Sequence, residues 1–173
     1  MPTADSAGRP SRVLFVCANN ICRSPIAEGV FRIAAAREGL HDIVVDSAGI
    51  FANHAGRSPD ARAVAAASAR GYDLSRIRAR QVTTTDFARF DWILAMDHDN
   101  LRALASISPQ DFTGHLGLLM DLAAGTTVRD VPDPYFGPRA QFDEIVRLVE
   151  APCMALASRL ARRAPIPATR RPQ

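Results

Sequence analysis

Three features of the chain predict an α/β fold built on a parallel sheet. Short, unbroken apolar runs recur along it, segments with helical period lie between them, and the two alternate through most of its length. Strands covered on both faces lack polar alternation, and Val13-Leu14-Phe15-Val16 is the first run of this kind. After a short loop come Ser24 and Pro25. Serine as N-cap and proline at the first helical position open a helix. Ile26, Val30 and Ile33 continue it at helical spacing, and Gly39 offers a stop. Ile43-Val44-Val45 predicts a second strand, and 59–70 a helix closed by Gly71. Trp92-Ile93-Leu94-Ala95 predicts a third strand, 100–106 a short helix and 116–119 a fourth apolar run. The last helix has the clearest period: Phe142, Ile145, Val149, Cys153, Leu156 and Leu160 paint one stripe. Pro152 interrupts it, and an interior proline costs about 3 kcal/mol or more, so a kink or break is expected there.

The chain has 173 residues, and all 21 of its basic residues are arginine. Without lysine there is no amine for a Schiff base, no Walker-type loop and no kinase strand lysine. The formal charge of +3 is carried by the ends. Residues 159–173 sum to +5 and residues 1–12 to +1, whereas 13–158 sum to −3. No aromatics are interleaved in the basic tail, so no nucleic-acid partner is expected. The length and a composition that is 47% hydrophobic and 23% charged suit one soluble domain. Such a domain buries a sizeable core without disulfides. Residues 1–12 and 163–173 are polar or proline-bearing and are expected to be disordered, leaving one domain over 13–162. Three cysteines are too few for a disulfide scaffold. Residues 1–12 contain no apolar signal region, and no apolar run is long enough to span a bilayer. A cytoplasmic location is the expectation.

The chemistry gathers after the first strand, in Cys17-Ala18-Asn19-Asn20-Ile21-Cys22-Arg23-Ser24-Pro25. Ligands of open α/β sheets bind at the carboxyl ends of strands. A helix N-terminus adds unpaired N–H groups and partial positive charge, which together make an anion site. The amides of residues 18–23 can form a nest, and the planar fork of Arg23 can clamp two oxygens of a dianion. The same field favours the thiolate of Cys17, and Ser24 can donate a hydroxyl to it. The two asparagines suit positive φ. Cleavage of a phosphate ester also needs an acid for the leaving group. Asp133, between Pro132 and Pro134, is the candidate, with Gly137 permitting a bend and Tyr135 and Phe136 walling an aromatic slot. On spacing alone a plain surface turn reads equally well there.

VLFVCANNICRSPIAEGVFR resembles the opening of the low-molecular-weight protein tyrosine phosphatases, and DVPDPYFG followed by QFDEIVRLVE resembles their acid loop and final helix. VDSAGI and ARQVTTTDFARFDWILAMDHDN resemble the family's middle. The resemblance implies a three-layer fold, with a four-stranded parallel sheet in the order 2-1-3-4, helices on both faces and a phosphate loop after strand 1. It implies hydrolysis of phosphotyrosine in a protein or peptide through a phosphocysteine, with no cofactor. Cys17 would be the nucleophile, Arg23 the phosphate clamp and Asp133 the acid, then base. Ala18, Asn19, Asn20, Ile21, Cys22 and Ser24 would form the phosphate loop, Ser47 would anchor Asn20, and Phe51, Tyr135 and Phe136 would border the substrate. Cys22 would pair reversibly with Cys17 under oxidant.

The chain departs from the family in four places. Asn19 stands where glycine is usual, and its side chain is expected to crowd the loop or alter its strain. Asn53 precedes His54 where many bacterial relatives have tryptophan, with Phe51 two positions earlier. Phe136 replaces a second tyrosine, and Pro152 is unusual. An arsenate reductase on the same scaffold would need two further resolving cysteines in a mobile segment, whereas Cys153 reads as core. A binding module with a silent loop is the third class, and the intact Cys17, Arg23 and Asp133 argue against it. Cys17 and Cys22 lack zinc spacing and the four histidines are scattered, so no metal is expected. His54 alone among them is a candidate to line the cleft.

Overall fold

The computed structural model describes residue 9 and residues 11–162. β1 (Arg12–Cys17) lies inside the sheet because both of its faces are apolar. Val13 and Phe15 enter one core, and Leu14 and Val16 enter the other. β2 (Val44–Gly49) pairs with β1 in parallel, Arg12 opposite Val44 and Cys17 opposite Gly49. β3 (Trp92–Ala95) flanks β1 on the other side, and β4 (His115–Leu118) closes the far edge. The order is β2-β1-β3-β4, as the resemblance implies. The chain leaves β1 toward β2 and later returns to its other side at β3. That reversal opens a crevice at the carboxyl end of β1.

α1 (Arg23–Arg37) and α5 (Arg139–Ala161) supply most of the core on one face, with α2 (Ala61–Ser68) beside them. Phe87 of α3 (Asp86–Arg89) and Leu101 and Leu104 of α4 (His98–Ile107) fill the other. α1 stops at Arg37, and Gly39 turns away with φ +75°, a conformation that glycine adopts at little cost. α2 begins where the Asp60 carboxylate accepts from Arg62 N at 2.9 Å. α4 begins where Asp97 accepts from Asn100 N at 2.7 Å.

Several expectations are corrected. Arg12, expected in the N-terminal segment, opens β1, where its N–H donates to Asp91 Oδ2 at 2.9 Å. Residues 1–8 and 10, and all of 163–173, lie outside the described residues. Ser24 is not the N-cap of α1; Cys22 holds that position, and the Ser24 hydroxyl faces Cys17 instead. β2 runs on to Gly49 and so carries Ser47. α3 and the short 3-10 helix at Leu119–Leu122 have no apolar run long enough to announce them. α5 runs through Pro152 without a break. The six stripe residues are all buried, chiefly along α1, and that packing outweighs the hydrogen bond that proline cannot make.

The stripe makes a prediction. Leu156 is fully buried, and Leu156→Ala should destabilise the fold by about 2–5 kcal/mol. The urea midpoint should fall with little change in slope. An unchanged midpoint would show that the α5 stripe does not hold the core.

Candidate active site

Cys17 ends β1 and is buried, and the backbone from 18 to 22 wraps from it into α1. The carbonyls of this loop are engaged from outside. Cys17 O accepts from Ile50 N at 2.9 Å, Ala18 O from Phe51 N at 2.9 Å and Ile21 O from Asp60 N at 2.8 Å. The C-terminal end of β2 and the start of α2 thus fix the loop's shape.

Asn20 fixes it from within. It is the one described non-glycine residue with positive φ, at 56°; Asn19, expected to share that role, does not. Both N–H donors and the oxygen of its amide are used. Nδ2 donates to Ser24 Oγ and to Ser47 Oγ, each at 2.9 Å, and Oδ1 accepts from Arg80 N at 3.0 Å. Ser47 Oγ in turn donates to Glu28 Oε2 at 2.5 Å, and Arg32 Nη2 donates to Glu28 Oε1 at 2.6 Å. Burial raises the Glu28 carboxyl above its ordinary range, against the pull of Ser47 and Arg32. The Ser24 hydroxyl already accepts from Asn20, so its one proton remains for Cys17 Sγ at 3.0 Å or Ala48 O at 3.3 Å. The shorter contact is to sulfur.

Arg23 is only 3% exposed. Nη1 donates to Asp97 Oδ2 at 2.5 Å and to Val131 O at 3.0 Å, and Nη2 reaches Asp133 Oδ2 at 3.4 Å. Burial works against its charge, but Cys17, Asp97 and Asp133 outweigh that, and its pKa rises. Asp133 is half exposed, and its Oδ1 accepts from Tyr135 N at 3.1 Å. One pocket brings together Cys17, Arg23, Asp133 and loop residues Ala18, Asn19, Ile21 and Cys22. Tyr135, Phe136 and His54 complete its wall. Tyr135 and Phe136 meet edge to face at 4.9 Å, and Phe136 is 98% exposed.

Asn20, Ser24 and Ser47 stand behind the pocket and do not line it. Phe51, expected at the substrate border, is exposed and absent from the wall, and His54 from the same loop lines it instead. Two of the unusual residues meet each other, since Asn53 Nδ2 donates to Asn19 Oδ1 at 3.1 Å. The Asn19 side chain thus points to the loop that follows β2. Burial pushes the Cys22 thiol well up, with Asp60 adding to it. Cys153 is fully buried, its Sγ 3.7 Å from Ala27 O, and so is no resolving cysteine in a mobile segment. Among the described residues no three His, Cys, Asp or Glu side chains gather as a metal site, and no helix is long and apolar enough to cross a membrane.

The sequence matches a family model over residues 12–165, described as low molecular weight phosphotyrosine protein phosphatase. The chain belongs to this family. Bacillus subtilis YfkJ, a low molecular weight protein-tyrosine-phosphatase, is 40% identical over 83% of the chain and 92% of its own length. The pig low molecular weight phosphotyrosine protein phosphatase is 38% identical over 86% and 94%. Among solved structures, a protein tyrosine phosphatase of Entamoeba histolytica superposes with a TM-score of 0.83 at 34% identity, covering 88% of this chain and 97% of that one. The fold of these phosphatases therefore agrees with the four-stranded parallel sheet of this chain.

Gly49 makes this geometry testable. A Cβ there would lie 2.9 Å from Asn19 C and 3.0 Å from both Ala18 O and Asn20 N. All three are backbone atoms of the loop, so the loop itself would have to move. Gly49→Ala should lower kcat/KM for an aryl phosphate about tenfold or more while the circular dichroism stays native. Unchanged kcat/KM would refute the tight seating of the loop on β2.

Proposed function

We propose that Cys17, Arg23 and Asp133 carry out the phosphotyrosine hydrolysis of this phosphatase as nucleophile, phosphate clamp and acid–base. The observation that carries the reading is their convergence on one pocket, with Arg23 bonded to Asp97 and Val131 O and still within 3.4 Å of Asp133. In the first step the Cys17 thiolate attacks phosphorus in line. The S–P bond forms, the P–O bond to the phenol breaks, and the Asp133 proton passes to the leaving oxygen. In the second step Asp133 takes a proton from water, whose oxygen attacks phosphorus. The S–P bond then breaks, and inorganic phosphate and the thiolate are released.

The Ser24 hydroxyl stabilises that thiolate as it leaves. Arg23 and the amides of 18–23 hold the three equatorial oxygens through both steps. Nη1 of Arg23 stays on Asp97 and Val131 O, while the long contact from Nη2 to Asp133 is the one that phosphate replaces. Tyr135 and Phe136 flank the phenol ring of a phosphotyrosine protein or peptide.

Cys17→Ser should reduce turnover of para-nitrophenyl phosphate and of a phosphotyrosine peptide to background; substantial remaining activity would reject the nucleophile. Asp133→Ala should lower kcat/KM for phenyl phosphate about 100-fold and for para-nitrophenyl phosphate much less. Equal losses on the two esters would reject the acid.

A further inference from the structure

Asp133 sits in a loop that is held at two ends and by little between them. At the upstream end, Val131 N donates to Met96 O at 2.8 Å and Val131 O accepts from Arg23. At the downstream end, the backbone carbonyls of Tyr135 and Gly137 both accept from one side chain, Arg62 of α2, at 3.0 and 3.3 Å. Between the ends the turn is closed locally, by Gly137 N to Pro134 O at 2.9 Å and Tyr135 N to Asp133 Oδ1, and Asp133 Oδ2 adds only the long 3.4 Å contact with Arg23 Nη2 that phosphate would replace. Pro132 and Pro134 restrict the backbone on either side of Asp133. Its position therefore depends on where the two ends are fixed.

Arg62 is itself immobilised. Asp60 receives its Nε at 3.0 Å and Nη2 at 2.8 Å in a bidentate pair, and its guanidinium lies over the Phe142 ring at 4.5 Å. Asp60 also donates its backbone N–H to Ile21 O of the loop that follows β1. One short unit at the start of α2 thus grips the floor of the pocket through Asp60 and the loop above it through Arg62. A lysine cannot span a carboxylate and two carbonyls in this way, because its ammonium is a point donor without the planar fork.

We propose that Arg62 is a positioning residue for the proposed acid, setting Asp133 over the Cys17 pocket by fixing the downstream end of the 131–137 loop. This inference rests on the reading of Asp133 as the acid. Arg62 touches no reacting atom, so its loss acts on proton delivery to the leaving group. Phosphate esters with poor leaving groups depend on that proton most.

The test compares kcat/KM for phenyl phosphate and para-nitrophenyl phosphate, since kcat/KM reports the first chemical step. It uses wild type, Arg62→Gln, Arg62→Lys, Asp133→Ala and the double variant Arg62→Gln with Asp133→Ala. Arg62→Gln should lower kcat/KM about tenfold for phenyl phosphate and less than about twofold for para-nitrophenyl phosphate, as a small misplacement of the acid requires. In the Asp133→Ala background the same change should add nothing. Arg62→Lys keeps the cation and should fall between wild type and Arg62→Gln; it carries the test alone if Arg62→Gln does not fold. Equal losses on both esters, or a loss that persists without Asp133, would overturn the inference and leave Arg62 as core support. A steep Asp133→Ala profile beside a flat Arg62→Gln profile would overturn the inference alone. A flat Asp133→Ala profile would overturn the acid assignment and this inference with it.

Discussion

A guanidinium cannot be buried alone, and the burial of Arg23 organises this molecule. Taking an unpaired charge out of water costs several kcal/mol, so partners must come to it. They come from two segments: Asp97 from the turn after β3, and the Val131 carbonyl and Asp133 from the loop before α5. Asp97 also caps α4. The β1–α1 turn, the β3–α4 turn and the 131–137 loop are thereby drawn to one point at the carboxyl edge of the sheet. The parallel order β2-β1-β3-β4 makes this possible, because it places the ends of β1 and β3 side by side.

Behind that point lies a hydrogen-bonded chain with a definite direction. Arg32 donates to Glu28, Ser47 donates to Glu28, and Asn20 donates to both Ser47 and Ser24. With those donors committed, the Ser24 proton is directed toward sulfur or the Ala48 carbonyl. A buried polar network of this kind is favourable only when every member is satisfied, and here each neighbour supplies what the next one lacks.

The β1–α1 segment was legible in the sequence because an anion site at a helix start is made of consecutive residues. Cys17, Arg23 and the loop between them need no tertiary knowledge. Asp133 was half legible: its prolines signalled a rigid turn and made it a candidate acid, and only the resemblance favoured that reading over a plain surface turn. Asp97 and the reach of Arg62 to the 131–137 loop were missed because these contacts join residues more than 70 positions apart. Glu28 was missed although a signal existed, since it lies four residues from both Ser24 and Arg32 on one helix face. Ser24 misled only as a cap, because Ser-Pro has the grammar of one, while its expected contact with the Cys17 sulfur is present. Pro152 does not break its helix, since propensity is a local preference and the α1–α5 contact is not.

The outward-held carbonyls of Cys17, Ala18 and Ile21 mean that the floor of the pocket is a mould cast before any ligand arrives. A rigid mould selects by tetrahedral shape and charge and is indifferent to what the phosphate is attached to. The rim above it is made of His54, Tyr135 and the fully exposed Phe136. Floor and rim are thus separate in construction: backbone hydrogen bonds hold the floor, and side chains make the rim.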